Sequence, residues 1–270
     1  MTGEGHGNAG APWPEFDPRD YLLRNYAEVR ADDRVVLELV RDFFHGAGVR
    51  PRTARGIDVG TGSNLYPALA MLPFCRSITL YEHAKSNLEW LTEQHAGAWP
   101  SWGPVWRDFW ALLRERAPYA GLDGHPRRVL TERTAVTEGS VFELDARSEP
   151  WDMGTMFFVA ESITDDRHEF TEAVRRFLGA LRPGAPFAIA FMENSVGYEV
   201  GGVRFPAVAI GAGDVDACLA GSARDVAVSR IPAGVNRLRV GYSGMIVACG
   251  RATGSAVPRS GADVVTGWSS

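Results

Sequence analysis

A glycine turn and an acidic residue further along the chain are the first features here whose types and spacing could bind a ligand. The run Asp58-Val59-Gly60-Thr61-Gly62 ends one short apolar segment, and Glu82 ends the next, 20 residues after Gly62. Glycines at such a turn let the backbone approach a ligand without a clash from a Cβ atom. A carboxylate at this distance can accept hydrogen bonds from the hydroxyls of a ribose. The pattern therefore predicts a site for a ribose-containing ligand.

The turn lacks the third glycine of a dinucleotide-binding loop. A G-x-G-x-x-G loop would place that glycine at position 65, where this chain has Leu65 followed by Tyr66. The remaining pattern is shared by nicotinamide-dependent enzymes and by methyltransferases that use S-adenosylmethionine. Leu65 favours a ligand without a pyrophosphate, so a nicotinamide-dependent oxidoreductase is the weaker alternative.

The elements that must position these residues alternate between strands and helices. Strands are predicted near residues 56–60, 77–82, 133–141, 153–160, 187–192, 225–231 and 243–249, and helices over 65–72, 87–94, 169–181 and 214–219. A helical pattern also begins at Asp17-Pro18, and apolar residues recur at helical spacing up to Gly46. This order is typical of a doubly wound α/β fold with a mostly parallel sheet, in which ligands bind beyond the carboxyl ends of the strands.

A tryptophan-rich segment, residues 99–117, interrupts the alternation. Trp102, Trp106 and Trp110 recur every four residues, which would place them on one face of a helix. We expect an inserted helix lying over the sheet, with these side chains in the core rather than around a ligand.

The composition indicates one folded domain with polar ends. The chain is 45% hydrophobic and 23% charged, which is ordinary for a globular protein. Residues 1–15 are predicted to be a flexible arm, residues 16–250 a single domain that begins with helices over 16–50, and residues 251–270 a disordered tail rich in Gly, Ser and Ala.

Charge and cysteine usage exclude several classes of partner. The net charge of −5 and the pI near 5.7 argue against nucleic-acid binding. We find no apolar run long enough to span a membrane, and the polar N-terminus and three scattered cysteines fit the cytoplasm. Asp165-Asp166 has no third metal ligand at a matching spacing. The sequence thus predicts a small-molecule partner and no metal; the oligomeric state is open, and a monomer is compatible with the sequence.

Five motifs, in order, resemble the nicotinamide, phenylethanolamine and indolethylamine N-methyltransferase family. The glycine turn continued to Tyr66 is similar to its first motif, and residues 16–26 resemble its N-terminal lid. The remaining three are residues 78–82 with Asn87 five positions on, residues 159–162 with Phe170 nine positions beyond Glu161, and residues 198–205. The resemblance spans about residues 16–250.

The resemblance implies a Rossmann-like class I methyltransferase with a seven-stranded sheet and an N-terminal helical lid. The enzyme would use S-adenosylmethionine and release S-adenosylhomocysteine. The cofactor contacts expected in this chain are Tyr21, Tyr26, Asp58, Gly60, Thr61, Gly62, Tyr66, Glu82, His83, Asn87, Ser140, Val141 and Ala160; the acceptor contacts are Glu161, Asn194 and Tyr198.

Three positions depart from the family pattern. The ribose acid is Glu82 where the family usually has Asp, and Gly139-Ser140-Val141 stands where it has Cys-Asp-Val. Before Tyr198, Val196-Gly197 replaces a tyrosine. The missing aromatic side chain opens the expected acceptor pocket and makes nicotinamide-like or catecholamine-like acceptors less expected.

Two acids and one tyrosine are candidates for catalysis. Glu161 and Glu193 each end a predicted strand at the ligand edge, where a carboxylate could bind an ammonium and take its proton. The resemblance favours Glu161, through its spacing to Phe170. Tyr21 would cover the sulfonium by cation–π attraction, worth about 0.5–2 kcal/mol.

The expected function is transfer of a methyl group to a small molecule, most simply at an amine nitrogen, and two alternatives remain open. An enzyme of this build could instead use the aminocarboxypropyl arm of S-adenosylmethionine, for example by internal cyclisation. A non-catalytic regulator that senses the cofactor would keep the same glycines and the same acid. The arginine-rich composition and the resemblance also suggest a bacterial natural-product pathway.

Overall fold

The computed structural model describes residues 7–144, 149–234, 239 and 241–254. The strands are β1 Ala54–Val59, β2 Cys75–Glu82, β3 Thr134–Glu138, β4 Met153–Phe157, β5 Pro186–Glu193, β6 Tyr198–Val200, β7 Val203–Phe205, β8 Ala223–Pro232 and β9 Gly244–Ala252. The helices are α1 Pro18–Tyr26, α2 Ala31–Gly46, α3 Tyr66–Met71, α4 Lys85–Ala96, α5 Trp106–Leu113, α6 Ala117–Ala120, α7 Pro126–Arg133, α8 Arg167–Gly179 and α9 Ala212–Leu219. Short 3-10 turns span Asn8–Gly10, Trp13–Glu15, Pro100–Trp102 and Val141–Glu143.

Seven of the strands form one sheet in the order β3-β2-β1-β4-β5-β9-β8. The pairs from β3 to β5 are parallel, and β9 runs antiparallel to both β5 and β8. This mostly parallel, seven-stranded α/β sheet confirms the predicted fold class. The chain reverses its direction of winding between β1 and β4, so the carboxyl ends of the central strands open a crevice there. Strands β6 and β7 form a separate hairpin.

Helices cover both faces of the sheet. Along β5, Phe187, Ile189 and Phe191 join the core that contains α8 and α9. The intervening Ala188 and Ala190 join the core that contains α2, α3 and α5. Successive side chains of a strand point to opposite faces, and β5 is buried throughout, so its sequence is a continuous apolar run.

The predicted start of the first helix is confirmed. The Asp17 side chain accepts hydrogen bonds from the backbone N–H groups of Arg19 and Asp20, and Pro18 occupies the first helical position. A helix leaves its first N–H groups unpaired. The Asp17 side chain accepts hydrogen bonds from two of them, and Pro18 has no N–H group to satisfy. Among the described residues, no helix combines the length and the apolar character needed to cross a membrane.

The tryptophan-rich segment differs from the prediction of one helix. Trp106 and Trp110 lie on α5, but Trp102 belongs to the preceding 3-10 turn. Residues 103–105 separate the two, and the backbone leaves the helical range at Val105, whose φ and ψ angles are −124° and −67°. All three indoles are nevertheless buried, and the rings of Trp102 and Trp110 lie 6.5 Å apart. Their expected place in the core is confirmed.

Several strands end at residues other than the predicted ones. Strands β3 and β4 stop at Glu138 and Phe157, before the expected ends at 141 and 160, and β9 continues to Ala252, into the stretch predicted as a tail. Within the expected N-terminal arm, the Trp13 ring stacks on Phe205 with centroids 5.4 Å apart, so this part is packed onto the hairpin. Residues 1–6 and 255–270, which make up the rest of the predicted arm and tail, lie outside the described residues.

Candidate functional site

A cavity lies at the carboxyl ends of β1, β2, β3 and β4. Eleven predicted residues line it: Tyr21, Tyr26, Gly60, Thr61, Gly62, Glu82, His83, Asn87, Ser140, Val141 and Tyr198. Six do not: Asp58, Tyr66, Ala160, Glu161, Glu193 and Asn194. The cavity thus collects the glycine turn, the acid of β2, the N-terminal helix and the hairpin at the place where a doubly wound sheet binds ligands.

Glu82 anchors the glycine turn from the neighbouring strand. Its Oε2 accepts a hydrogen bond from the backbone N–H of Gly62 at 2.8 Å. Its Oε1 accepts from the N–H groups of His83 at 2.8 Å and Ala84 at 2.7 Å. Burial raises the pKa of Glu82, and these backbone hydrogen bonds act in the opposite direction by stabilising the anion. The carboxylate therefore shapes the turn as well as facing the cavity.

The glycines of the turn meet two different constraints. Gly60 and Gly62 have φ angles of +65° and +51°, which L-residues with a side chain rarely adopt. A Cβ on Gly60 would also lie 2.5 Å from a methyl group of Val159. At Gly62 the nearest atom would be 3.5 Å away, on Asn87. Gly60 is thus required by both backbone and packing, and Gly62 by backbone alone.

Asp58 supports the turn from behind and does not reach the cavity. Its Oδ1 accepts a hydrogen bond from the Thr155 hydroxyl at 2.7 Å, while Oδ2 is buried without a partner. Burial raises the pKa of Asp58 to about 7. Asp58 does not line the cavity, because it precedes the end of β1 and its side chain is bonded to Thr155 on the neighbouring strand β4.

Two of the three tyrosines predicted to contact the cofactor reach the cavity. Tyr26 is buried, and its ring lies 5.9 Å from Tyr66 and 5.7 Å from Trp106. Tyr66 stays in the core, where its hydroxyl donates to Asp33 at 3.3 Å. Tyr21 is half-buried, and its ring contacts that of Tyr198 on the hairpin, with centroids 6.5 Å apart. The N-terminal helix therefore covers one side of the cavity with Tyr21 and Tyr26.

The segment after β3 explains one departure from the family pattern. A Cβ on Gly139 would lie 2.0 Å from the Tyr81 hydroxyl oxygen. Tyr81 therefore occupies the space that a side chain at position 139 would need. Ser140 caps the following turn: its hydroxyl accepts from the Phe142 N–H, and its own N–H donates to Glu143, both at 3.3 Å. Ser140 and Val141 line the cavity from this turn.

A cluster of polar side chains lies beyond β4. Glu161 is fully buried, and its Oε1 accepts from the Met192 N–H at 3.0 Å and from the Ser162 hydroxyl at 2.9 Å. Its Oε2 has no hydrogen-bond partner among the described residues. Burial raises the pKa of Glu161. Ser162 in turn accepts a hydrogen bond from Arg239 at 2.8 Å. Glu161 thus lies directly behind Ser162, which lines the cavity.

Glu193 and Asn194 face away from this cluster. Glu193 accepts from Arg230 at 2.6 Å and from the Ser243 hydroxyl at 2.6 Å. Asn194 donates to the same hydroxyl at 2.9 Å. Glu193 therefore interacts with β8, both side chains contact Ser243 just before β9, and the structure does not place either side chain at the cavity. Ala160 is buried without reaching the cavity.

Several lining residues were missed by sequence reasoning. They come from the N-terminal turns (Asn8, Trp13, Phe16), from the glycine turn (Ser63, Asn64) and from the end of β4 (Phe157, Phe158). Arg239, which contacts Ser162 and Tyr21, was missed as well. Ser63 and Asn64 carried a signal because they continue the glycine motif, and Phe16 carried one because it begins the motif that resembles the lid. The others reach the cavity through contacts distant in sequence.

The residues present fit S-adenosylmethionine. Buried polar atoms without a partner occur at three positions that line the cavity: Ser63 Oγ, Asn64 Nδ2 and Asn87 Oδ1. Buried polar groups are normally hydrogen-bonded, so these donors and acceptors suit the amino-acid group of a ligand. Glu82 supplies the carboxylate expected for a ribose, and the aromatic and apolar residues of the wall suit an adenine.

Comparisons with known proteins agree with this geometry. The family model described as the NNMT/PNMT/TEMT family matches residues 12–252. Mouse indolethylamine N-methyltransferase is 25% identical over 205 residues, covering 72% of this chain and 76% of that protein. Human phenylethanolamine N-methyltransferase is 26% identical over 255 residues, covering 85% and 86%. The N-methyltransferase NodS from Bradyrhizobium japonicum WM9, solved with S-adenosyl-l-homocysteine, has 11% identity and a TM-score of 0.50, with 87% of this chain and 99% of that one covered.

Proposed function

Because this chain belongs to the NNMT/PNMT/TEMT family and is therefore an S-adenosylmethionine-dependent methyltransferase, we propose that it methylates a small-molecule acceptor at an amine nitrogen. The observation that carries the proposal is Glu161, a fully buried carboxylate with one unpartnered oxygen, placed directly behind the cavity wall. A carboxylate in this position can attract an ammonium and accept its proton.

We assign the donor half of the cavity to the glycine turn and its surroundings. In this assignment Glu82 accepts from the ribose hydroxyls, and Ser63, Asn64 and Asn87 bind the amino-acid group through their free polar atoms. His83, Ser140 and Val141 flank the adenine. The bound S-adenosylmethionine supplies a methyl group already activated by the sulfonium. What this chain adds is alignment, which is worth about 7–11 kcal/mol in well-oriented reactions.

The acceptor half is assigned to the residues beyond β4 and to the hairpin. An amine must be neutral to attack, so a base has to hold its proton. Glu161 takes that role directly or through water, and burial favours its binding of a proton. Glu193 is the less suitable base, because it is paired with Arg230. Tyr21 and Tyr198 form the wall between the two halves, where Tyr21 can face the sulfonium and exclude water.

The test is product analysis with purified protein. Incubation with S-adenosylmethionine and a panel of amines should yield S-adenosylhomocysteine and a product heavier by one methyl group, both detectable by mass spectrometry. Formation of methylthioadenosine instead would indicate use of the aminocarboxypropyl arm. Tight binding of S-adenosylhomocysteine with no turnover of any acceptor would favour a regulator.

A further inference from the structure

Arg239 places a buried positive charge against the wall of the cavity. Its side chain is 8% exposed. One of its terminal nitrogens donates to the Ser162 hydroxyl at 2.8 Å and the other to the Tyr21 hydroxyl at 3.3 Å. The guanidinium carbon lies 4.2 Å from the centroid of the Tyr198 ring. Ser162, Tyr21 and Tyr198 all line the cavity, so the guanidinium belongs to its acceptor side.

This charge has no carboxylate partner among the described residues. No Asp or Glu oxygen there lies within 4.0 Å of the guanidinium of Arg239. The other buried arginine, Arg41, shows the contrast, because it pairs with Asp42 at 2.9 Å and with Glu115 at 3.0 Å. A buried charge is costly unless it is paired and hydrogen-bonded. Two hydroxyls and an aromatic face leave Arg239 with unused N–H donors.

An acid lies on the same side of the cavity but does not neutralise Arg239 directly. The Ser162 hydroxyl connects the two, since it accepts from Arg239 and donates to Glu161. Glu161 keeps one oxygen without a partner. Behind the wall of the acceptor side there are therefore, among the described residues, a cation without a carboxylate partner and an acid with one unpartnered oxygen, a pair that suits a molecule carrying opposite charges.

From this arrangement we propose that the acceptor is an amine that also carries a carboxylate, and that Arg239 binds this carboxylate. The inference rests on the proposed methylation of an amine. The guanidinium matches a carboxylate because it can donate two parallel hydrogen bonds. The carboxylate of the donor has other partners available, since Ser63 and Asn64 offer free polar atoms beside the glycine turn. Arg239 is then a specificity-determining residue.

The experiment compares matched pairs of acceptors that differ only by a carboxylate: phenylalanine and phenethylamine, tryptophan and tryptamine, histidine and histamine, and anthranilate and aniline. Each is assayed for kcat/KM, and each is titrated calorimetrically into the complex with S-adenosylhomocysteine. The variants are Arg239→Met, which removes the charge, and Arg239→Lys, which keeps it. Arg107→Gln, at an exposed position of α5 that does not line the cavity, is the control for a change in net charge.

We expect wild type to prefer the carboxylated member of at least one pair. Arg239→Met should lower kcat/KM and affinity for that member at least tenfold, the size expected for one charge-assisted hydrogen bond. It should change the values for the decarboxylated partner less than twofold and leave the affinity for S-adenosylhomocysteine intact. Arg239→Lys should restore part of the loss, and Arg107→Gln should behave as wild type.

Three results would overturn the proposal. The first is preference of wild type for the decarboxylated members. The second is a loss of S-adenosylhomocysteine affinity in a folded Arg239→Met protein, which would assign Arg239 to the carboxylate of the donor. The third is failure of every carboxylated compound to bind the S-adenosylhomocysteine complex. Binding of a carboxylated amine in an Arg239-dependent manner, but without methylation, would instead support the carboxylate site while contradicting the proposed function.

Discussion

The Glu82 carboxylate and the Gly62 backbone N–H, 20 residues apart, are joined by a hydrogen bond of 2.8 Å. This contact ties the glycine turn after β1 to the end of β2. The same carboxylate also accepts from the N–H groups of His83 and Ala84 at the start of the next turn. The residue assigned to the ribose thus also determines the shape of the surface on which the donor lies.

Glu82→Ala should weaken binding of S-adenosylhomocysteine at least tenfold and also lower the melting temperature. The first effect follows from the loss of charge-assisted hydrogen bonds to the ribose, each worth about 1.5–3 kcal/mol. The second follows from the three backbone N–H groups left without their acceptor. Isothermal titration and thermal unfolding measure the two effects.

Glu138→Ala is the matched control, because Glu138 pairs in register with Glu82 on the adjacent strand but is exposed. Glu138→Ala should change neither the affinity for S-adenosylhomocysteine nor the melting temperature appreciably. A folded Glu82→Ala protein with wild-type affinity would remove Glu82 from the ribose site.

Gly60→Ala should be far more damaging than Gly62→Ala. Both place a side chain at positive φ, but only Gly60 also meets Val159, at 2.5 Å. We expect loss of folding or of measurable S-adenosylhomocysteine binding for Gly60→Ala, and destabilisation of about 1–2 kcal/mol for Gly62→Ala. Urea unfolding and calorimetry would show the difference. Adding Val159→Ala to Gly60→Ala should restore part of the stability, and equal behaviour of the two single variants would contradict the steric explanation.

The N-terminal helix should close more firmly over bound donor. Its connection to the hairpin is a hydrogen bond from the Gly201 N–H to Asp20 at 2.8 Å, which also lowers the pKa of Asp20. Hydrogen exchange of residues 16–26 should slow when S-adenosylhomocysteine binds. Asp20→Ala should speed exchange in residues 16–26 and 198–205 without ligand, whereas Glu28→Ala, at an exposed position, should not. Equal protection with and without ligand would mean that Tyr21 and Tyr26 belong to a fixed helix.

Glu161→Gln should lower turnover by about 10²–10⁴-fold, the usual effect of losing a general base. Affinity for S-adenosylhomocysteine should stay unchanged, because Glu161 does not line the donor half. Glu193→Gln should cause the smaller loss of turnover, since Glu193 is paired with Arg230 and Ser243. Turnover by Glu161→Gln at the wild-type rate, together with an inactive Glu193→Gln, would place the base on β5. Activity of both variants would mean that alignment alone suffices.

Stability should fall as the pH rises from about 4 to about 7. Burial raises the pKa of Asp58 to about 7 in the folded protein, and that of Asp33 likewise to about 7. The folded state therefore keeps protons that the unfolded state loses, and each unit of pKa difference corresponds to about 1.4 kcal/mol. Below pH 4 and above pH 7 the ionisation of Asp58 and Asp33 should not make the free energy of unfolding depend on pH. Urea midpoints across this range should show a shallower slope for Asp58→Asn; an unchanged slope would mean that Asp58 does not hold a proton in the folded state.

The sequence by itself determined the features that depend on neighbours along the chain. The glycine turn, the acid at the end of β2, the capped start of α1 and the alternating order of elements are local patterns. They sufficed for the fold class and for the cavity-lining residues around the glycine turn. Even the resemblance to a methyltransferase family consisted of short motifs in a fixed order. Physically, these features follow from backbone preferences and hydrophobic periodicity, which neighbouring residues set.

Only the tertiary structure decided which polar side chains share the acceptor half. Glu161 and Glu193 look alike in sequence, since each follows an apolar strand, yet Glu193 turns toward Arg230 and Glu161 lies behind Ser162. Arg239 reaches Ser162 across 77 positions of sequence. Such contacts depend on where each strand ends, because one residue more or less reverses the face to which a side chain points. Long-range pairing sets that register, and no local pattern encodes it.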